Sequence, residues 1–595
     1  MENNNSWTES FLESTTAFFL LIAIVLSVVG PAYWNHHSSY ALNFFIFIVL
    51  SCGLLFASLR IIVSSKPNKH VELDVVSLFF ILIILYIVLR CVFEGGRTSF
   101  DLMLKMGIST TAYLIISLSK SSKIIILLLS GFVIIGFIES LLVLLQNYNV
   151  SPTISGTFSA TGTFTNPAHA AMLISLSLAI LVSKIRYIRT RGAIRGLLIV
   201  LLICTMFTMI AAIVILSCRA SIFGLSCTLY FYFTRHLPSK FRYPIAIILV
   251  IGLLCALYFM KPLSALARVL IWSSTLEGMI PQNMFLGRGP ESFQSDYMFL
   301  QEGYFIKHPL SPLTIVANNN YQTFNEYLHM LYEYGIVGLL LFLALLYFVL
   351  KVRDWNTYLP FMLLCVAMSF LYVFDITVLL ISFACIIASA ARKALVISIP
   401  SCCHYKSLVT QRATFGCILL ISTIGLLLYS IVSLKRMTVA SDSLYSARYS
   451  GEVSSIAGLI ENEQLLTGER DLALVYAQIL AQDNTDASRR TVWHIATHTV
   501  CTYEMLLDLG DSYLRIGDFS TAETLYCHAE IMIPSMISAK ENLFNIYMRE
   551  GCHEKACIYA KKILNDPVKV VGGKVLRARN AAREYLGQNN CDNKK

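Results

Sequence analysis

Two arginines stand where an arginine is costly. Arg219, in Ser217-Cys218-Arg219-Ala220, is wedged between two apolar runs with almost no loop. A permanent charge there is expensive unless it meets a water-filled cavity or an anion, or snorkels to the headgroups. Arg268 stands four residues before Trp272, near the start of a polar stretch over about 261–334. That stretch runs through Gly287-Arg288-Gly289, Phe293, Tyr297, Gln301, Tyr304 and His308 to Asn318-Asn319-Asn320-Tyr321 and Phe324-Asn325-Glu326-Tyr327-Leu328-His329. Arginine presents a planar, always-charged fork that matches phosphate oxygens. Aromatic and amide side chains together suit a sugar, stacking on its faces and bonding to its hydroxyls. Glu326 and His329 are three apart and share a face if that segment is helical. A carboxylate and an imidazole would then stand together for proton transfer. Ordinary structural explanations stay open: Glu326 can cap or brace a helix, and Arg288 can be plainly solvated. A further segment of small hydroxyl residues, 156–169, ends in Asn166-Pro167-Ala168-His169, a turn leading into the next apolar run. No Cys/His spacing suits a metal, and no nucleotide-binding motif is present.

The elements that must position these residues are membrane spans. Of 595 residues, 56% are apolar and only 14% charged, against roughly 25% charged in an average soluble domain. Apolar runs long enough to cross a bilayer fall near 15–34, 41–63, 73–93, 103–119, 124–146, 167–183 and 197–217. More follow near 220–235, 244–260, 335–350, 357–374, 376–391 and 413–434. The pattern predicts an all-α polytopic domain of about twelve to thirteen transmembrane helices over 1–435 and excludes a soluble enzyme. The net charge of +10 is no nucleic-acid signal, because it sits in short clusters between spans. Lys and Arg gather at 66–69, 120–123, 184–195, 235–242, 351–353 and 392–412. The alternate loops hold only Arg97, Arg219, Lys261, Arg268, Arg288 and Lys307. By the positive-inside rule the N-terminus is then cytoplasmic, and the 261–334 loop and the C-terminal part lie on the opposite side. The first run lacks a basic start and a small-residue cleavage site, so it reads as a retained span.

After Lys435 charge returns, and residues 436–595 form a second, helical domain. Tyr513 and Tyr547, Gly517 and Gly551, and Ala522 and Ala556 are each 34 apart. That period belongs to tetratricopeptide-like helix–turn–helix repeats, clearest over 503–567. Such solenoids bind a protein or peptide, or serve as packing modules. Most of the 16 cysteines fall in apolar runs and read as small hydrophobes. Cys552 and Cys557 are expected to pack inside the repeat rather than form a disulfide.

Taken in order, the motifs resemble the O-antigen ligase superfamily, which includes O-antigen polymerases and bacterial O-oligosaccharyltransferases. The matching pieces are Gly162-Thr163-Phe164-Thr165-Asn166-Pro167-Ala168, Ser217-Cys218-Arg219-Ala220 and Arg268-Val269-Leu270-Ile271-Trp272. They continue through Gly287-Arg288-Gly289-Pro290-Glu291-Ser292-Phe293 and Asn325-Glu326-Tyr327-Leu328 to Glu333-Tyr334-Gly335-Ile336-Val337-Gly338. The repeat tail resembles the Bacteroides-type branch. The resemblance implies a bacterial inner-membrane enzyme with a periplasmic C-terminal domain, needing no cofactor or metal. It would transfer a glycan from an undecaprenyl-diphosphate carrier to lipid A-core, protein or another glycan. Arg219 and Arg268 would hold the diphosphate, with Arg288, Trp272, Asn166, Asn325 and Tyr327 as further substrate-binding candidates. Many members carry a histidine immediately before the Asn of the later motif, where this chain has Phe324. Glu326 is therefore the candidate base, with His329 and His308 behind it. A repeat-unit polymerase, a glycolipid transporter and a non-enzymatic scaffold are the competing expectations.

Overall fold

The computed structural model describes residues 2–33, 39–63, 72–93, 99–119, 122–184, 193–279, 281–352, 354–398, 405–450, 459, 462–483 and 485–589. The basic clusters at 66–69 and 186–191 lie outside the described residues. The described residues are helical almost throughout, and the one sheet among them pairs Glu72–Asp74 antiparallel with Val396–Ser398. Ten helices among the described residues are long and apolar enough to cross a membrane, from Trp7–Pro31 to Thr414–Tyr449. Each contains an 18-residue apolar window with no more than two charged residues. This is a multi-pass membrane protein.

Thirteen crossings are expected from the sequence, and three of those stretches give shorter helices: Arg219–Phe233, Trp355–Ala367 and Thr377–Ala391. At 1.5 Å per residue a 15-residue helix reaches about 22 Å, short of a ~30 Å hydrocarbon core. Packing explains the shortness. Thr377–Ala391 is buried over nearly its whole length against Phe100–Leu118 and Val75–Phe93, so it need not match the lipid thickness. Arg219–Phe233 packs on Pro167–Lys184 and Trp355–Ala367.

The 261–334 stretch folds into helices Pro262–Gly278 and Ser292–Lys307, two 3-10 turns, and an irregular strand-like segment through 317–325. The next helix, Glu326–Lys351, starts nine residues before the apolar run does, because Asn325 caps it: its Oδ1 accepts the amides of Tyr327 and Leu328. That helix is broken at Gly335, where φ is 66° and ψ −169°. The turn over 284–289 plugs the break. The amides of Arg288 and Gly289 donate to the carbonyls of Tyr332 and Glu333 at 2.9 and 3.0 Å. In return the amides of Ile336 and Val337 donate to Met284 and Phe285. Tyr86 and Arg90, from Val75–Phe93, add bonds to the carbonyls of Tyr334 and Gly287. A break in an apolar helix leaves backbone groups that need such partners. Gly287 and Gly335 face each other across this junction, and a Cβ on either would overlap the other segment's backbone.

Tyr405–Ser450 is one helix of 46 residues, continuous from its apolar run into the C-terminal part. Its end buries Met437, Ala440, Leu444 and Ala447 against the helices of 463–480. Beyond lie paired helices, Tyr503–Arg515 on Phe519–Met532 and Ser538–Arg549 on His553–Asn565. The 34-residue spacing is expressed in the backbone: Gly517 and Gly551 both have positive φ, and Ala522 and Ala556 are both fully buried. Contrary to the packing expectation, Cys557 is disulfide-bonded, while Cys552 is free and exposed. Thiol alkylation with and without reductant is expected to modify Cys557 only after reduction. Equal modification in both samples would contradict the bond.

Candidate functional site

Arg219 opens the Arg219–Phe233 helix, two residues after Ser217, which is in a left-handed conformation (φ 47°). Its guanidinium donates to the Lys261 carbonyl at 3.0 Å and the Ser264 hydroxyl at 2.6 Å, all neutral partners. Arg268 lies two helices further on, in Pro262–Gly278, half-buried, its guanidinium 5.4 Å from the Phe324 ring centre. Burial, and next the charge of Arg219, lower its pKa to about 10, so it remains a cation at neutral pH. Neither arginine pairs with a carboxylate among the described residues. Two like charges held together in this way favour an anion between them.

Phe324 also adopts a left-handed conformation (φ 50°), unusual for a bulky residue, and this sets its ring between Arg268 and Tyr372. The Trp272 indole fixes the segment by donating to the Thr323 carbonyl at 2.9 Å. The Tyr372 hydroxyl in turn meets Asn166 Nδ2 at 3.3 Å and His169 Nε2 at 3.2 Å. Four separated stretches of chain thus converge on one wall.

Behind that wall is a cavity of about 210 Å³. Glu326 and His329 line it, as their spacing on one helix face requires, together with Glu333. Glu326 Oε1 accepts the Phe374 amide at 2.9 Å, while His329 Nε2 is 3.3 Å from Glu333 Oε2. Glu333 also accepts the Phe293 amide. Lys105 reaches in from Phe100–Leu118 and bridges Asp101, at 2.6 Å, and Asp375. Burial works against a charged Asp375, but the Lys105 ammonium outweighs it and brings the pKa down to about 2. Glu291 accepts the amide and hydroxyl of Ser99, yet burial still raises its pKa to about 7.

The C-terminal part supplies the remaining wall through Glu469, Arg470 and Asp471. Glu469 Oε1 accepts the Asp101 amide at 2.8 Å, in the first turn of a helix, where negative charge is favoured. Burial first, and then the carboxylates of Asp101 and Glu291, raise the Glu469 pKa well above its ordinary value. Arg470 pairs with Asp471 at 3.1 Å and lies 5.3 Å from the Tyr321 ring centre. Further contacts clamp this part onto 292–325: Gln301 Nε2 to the Met532 carbonyl, the Tyr503 amide to Asn319 Oδ1, and His528 to Glu302 at 2.5 Å. The Glu302 bond raises the His528 pKa above 6.5 against the opposing effect of burial. The stabilising contribution is therefore full below pH 6.5 and is lost as pH rises through the raised value. Hydrogen-exchange protection over 519–532 is expected to fall across that window, and His528→Gln to remove the pH dependence. An unchanged pH profile in the variant would refute this.

Not every candidate joins the site. Arg288 is bound to Asp296 at 2.7 Å, which also accepts the Tyr332 hydroxyl; its role is to fasten the 284–289 turn. His308 sits apart, beside Glu277 at 3.1 Å. Asn325 is spent as a cap, and the Tyr327 hydroxyl donates to the Cys365 carbonyl. The 156–169 segment is held from beneath by residues its own composition does not announce. Glu139 accepts the amide and hydroxyl of Thr163, and Gln146 Oε1 accepts the amides of Thr161 and Gly162. Reasoning from local motifs misses Lys105, Asp375, Tyr372, His169 and the 469–471 wall. Asp101 and Lys105, four apart in an apolar run, are the one local signal among these. No model of a known protein family matches the chain, and comparison with curated proteins finds no match.

Proposed function

We propose that the protein transfers a glycan from a polyprenyl-diphosphate carrier, of the undecaprenyl type, to an acceptor hydroxyl at the periplasmic face of a bacterial inner membrane. The observation that carries this is the Arg219–Arg268 pair. It lacks any carboxylate partner among the described residues and shares the Phe324–Tyr372 wall with a cavity bearing Glu326 and His329. In the reaction the bond between the anomeric carbon and the diphosphate oxygen breaks, and its electron pair leaves with the diphosphate. The acceptor oxygen forms the new bond to that carbon, and its proton passes to the Glu326 carboxylate and then to solvent. The arginine pair favours this step because negative charge grows on the phosphate oxygens as the bond breaks, and fixed cations need no reorganisation. His329, tied to Glu333, holds the proton-accepting side of the cavity in place. A disulfide in the C-terminal part fits an oxidising compartment, in keeping with the charge bias of the loops.

The test compares membranes from a strain lacking the chain with membranes carrying the wild type or Glu326→Gln. Loss of the chain is expected to leave glycan on the carrier and to remove the finished conjugate. Glu326→Gln is expected to slow transfer by about 10²–10⁴-fold, the range for general base catalysis. Unchanged carrier and conjugate pools without the chain, in a strain with no substitute enzyme, would sink the transferase and leave a scaffold. Accumulation of single repeat units in place of long glycan would identify a polymerase.

A further inference from the structure

The two halves of the site differ in one chemical respect. The arginine pair has positive charge to spare, whereas each cation of the cavity is already neutralised: Lys105 by Asp101 and Asp375, Arg470 by Asp471. The cavity's other ionisable groups are carboxylates and tyrosines, neutral or negative but never positive, apart from His329, which stands against Glu333. An anion entering it would meet Glu291, Glu326, Glu333 and Glu469 with no free cation among the described residues to offset them. Its uncharged lining is of another kind. Tyr321, Tyr372 and Phe374 offer ring faces, and Gln294 and Gln322 offer amides. With carboxylate oxygens as acceptors, that set suits a ring bearing several hydroxyls. The third wall, Glu469-Arg470-Asp471, comes from the C-terminal part and is held there by Glu469 on the Asp101 amide.

We propose that this cavity is the acceptor subsite, walled on one side by the C-terminal domain, and that it takes an uncharged or cationic sugar end and rejects a phosphorylated or carboxylated one. The inference rests on the transfer reaction proposed above. It divides the substrates by charge: the diphosphate lies on the arginine pair, and the neutral hydroxyls lie in the cavity. The C-terminal domain is then a determinant of acceptor choice, through Arg470 and its neighbours.

Two measurements test it. In the first, Gln294→Cys places a thiol in the cavity and Ser264→Cys places one beside Arg219. Each protein, in detergent micelles, is treated with cationic and with anionic methanethiosulfonate reagents, and modification is read by mass spectrometry on the peptide carrying that position. The cationic reagent is expected to react about tenfold faster at 294, and the anionic one faster at 264. Equal rates, or a faster anionic reagent at 294, would overturn the charge assignment whether or not the protein is a transferase. In the second, purified wild type and Gln322→Trp receive lipid-linked glycan extracted from the strain lacking the chain, with membranes of that strain as acceptor. Free glycan released to water and glycan attached to acceptor are both counted. Filling the cavity is expected to lower the ratio of attached to released glycan by about tenfold. An unchanged ratio would overturn the acceptor assignment, whereas a wild type that neither attaches nor releases glycan would instead defeat the proposed function.

Discussion

With Arg268→Ala, finished conjugate is expected to fall by about 10²–10³-fold while the protein accumulates in the membrane at its normal level. That range is what loss of one fixed group aimed at developing charge costs a reaction. Stability should barely change, because Arg268 has no carboxylate partner to orphan and its removal relieves repulsion from Arg219. Arg288→Ala provides the contrast. It strands the largely buried Asp296 and loosens the 284–289 turn, so it should cost roughly 1–3 kcal/mol of stability. Arg268→Lys keeps the charge and loses the planar fork, and an intermediate rate is expected. Quantifying carrier-linked and transferred glycan alongside protein abundance separates these effects. Wild-type transfer by Arg268→Ala would remove the arginine pair from the mechanism.

Gly335→Ala is expected to be among the most damaging single-methyl additions at the described residues. Alanine at φ 66° with ψ −169° leaves every region that L-residues favour, and its Cβ would overlap the Phe285 carbonyl, which is backbone and cannot rotate away. Strain and overpacking together should reach about 3–5 kcal/mol. Gly287→Ala should match it, because its Cβ would strike the Glu333 carbonyl from the other side of the same junction. By comparison, Gly303→Ala has open space and should be tolerated. Thermal unfolding of the purified proteins checks the ranking. Equal stability of all three variants would mean that the two segments do not meet as described.

Much of the architecture is legible in the sequence because membrane spans are encoded locally. Each of the thirteen apolar runs corresponds to a helix. What fails is the expectation that every such run crosses at full length: Thr377–Ala391 is a short helix buried among its neighbours, and that burial is a tertiary fact. The site divides in the same way. The costly placement of Arg219 is visible in a dozen residues, and the shared face of Glu326 and His329 follows from helical spacing alone. The cavity is assembled from Asp101, Glu291, Asp375 and Glu469, which are far apart in the chain and meet only through folding. The Gly287-Arg288-Gly289 and Glu333-Tyr334-Gly335 segments stand out separately. That each is the reason for the other's glycine cannot be read from spacing, since the contact is backbone against backbone.

The break at Gly335 also fixes an order of biogenesis. A span released into lipid by itself must satisfy every amide and carbonyl along its own length. This one cannot: Ile336 and Val337 donate to the 284–289 segment, and Tyr332 and Glu333 accept from it. The earlier-synthesised 284–289 segment must therefore be in place before the later helix can settle with these groups paired. Insertion of that helix and completion of the wall carrying Glu326, His329 and Glu333 are then a single event.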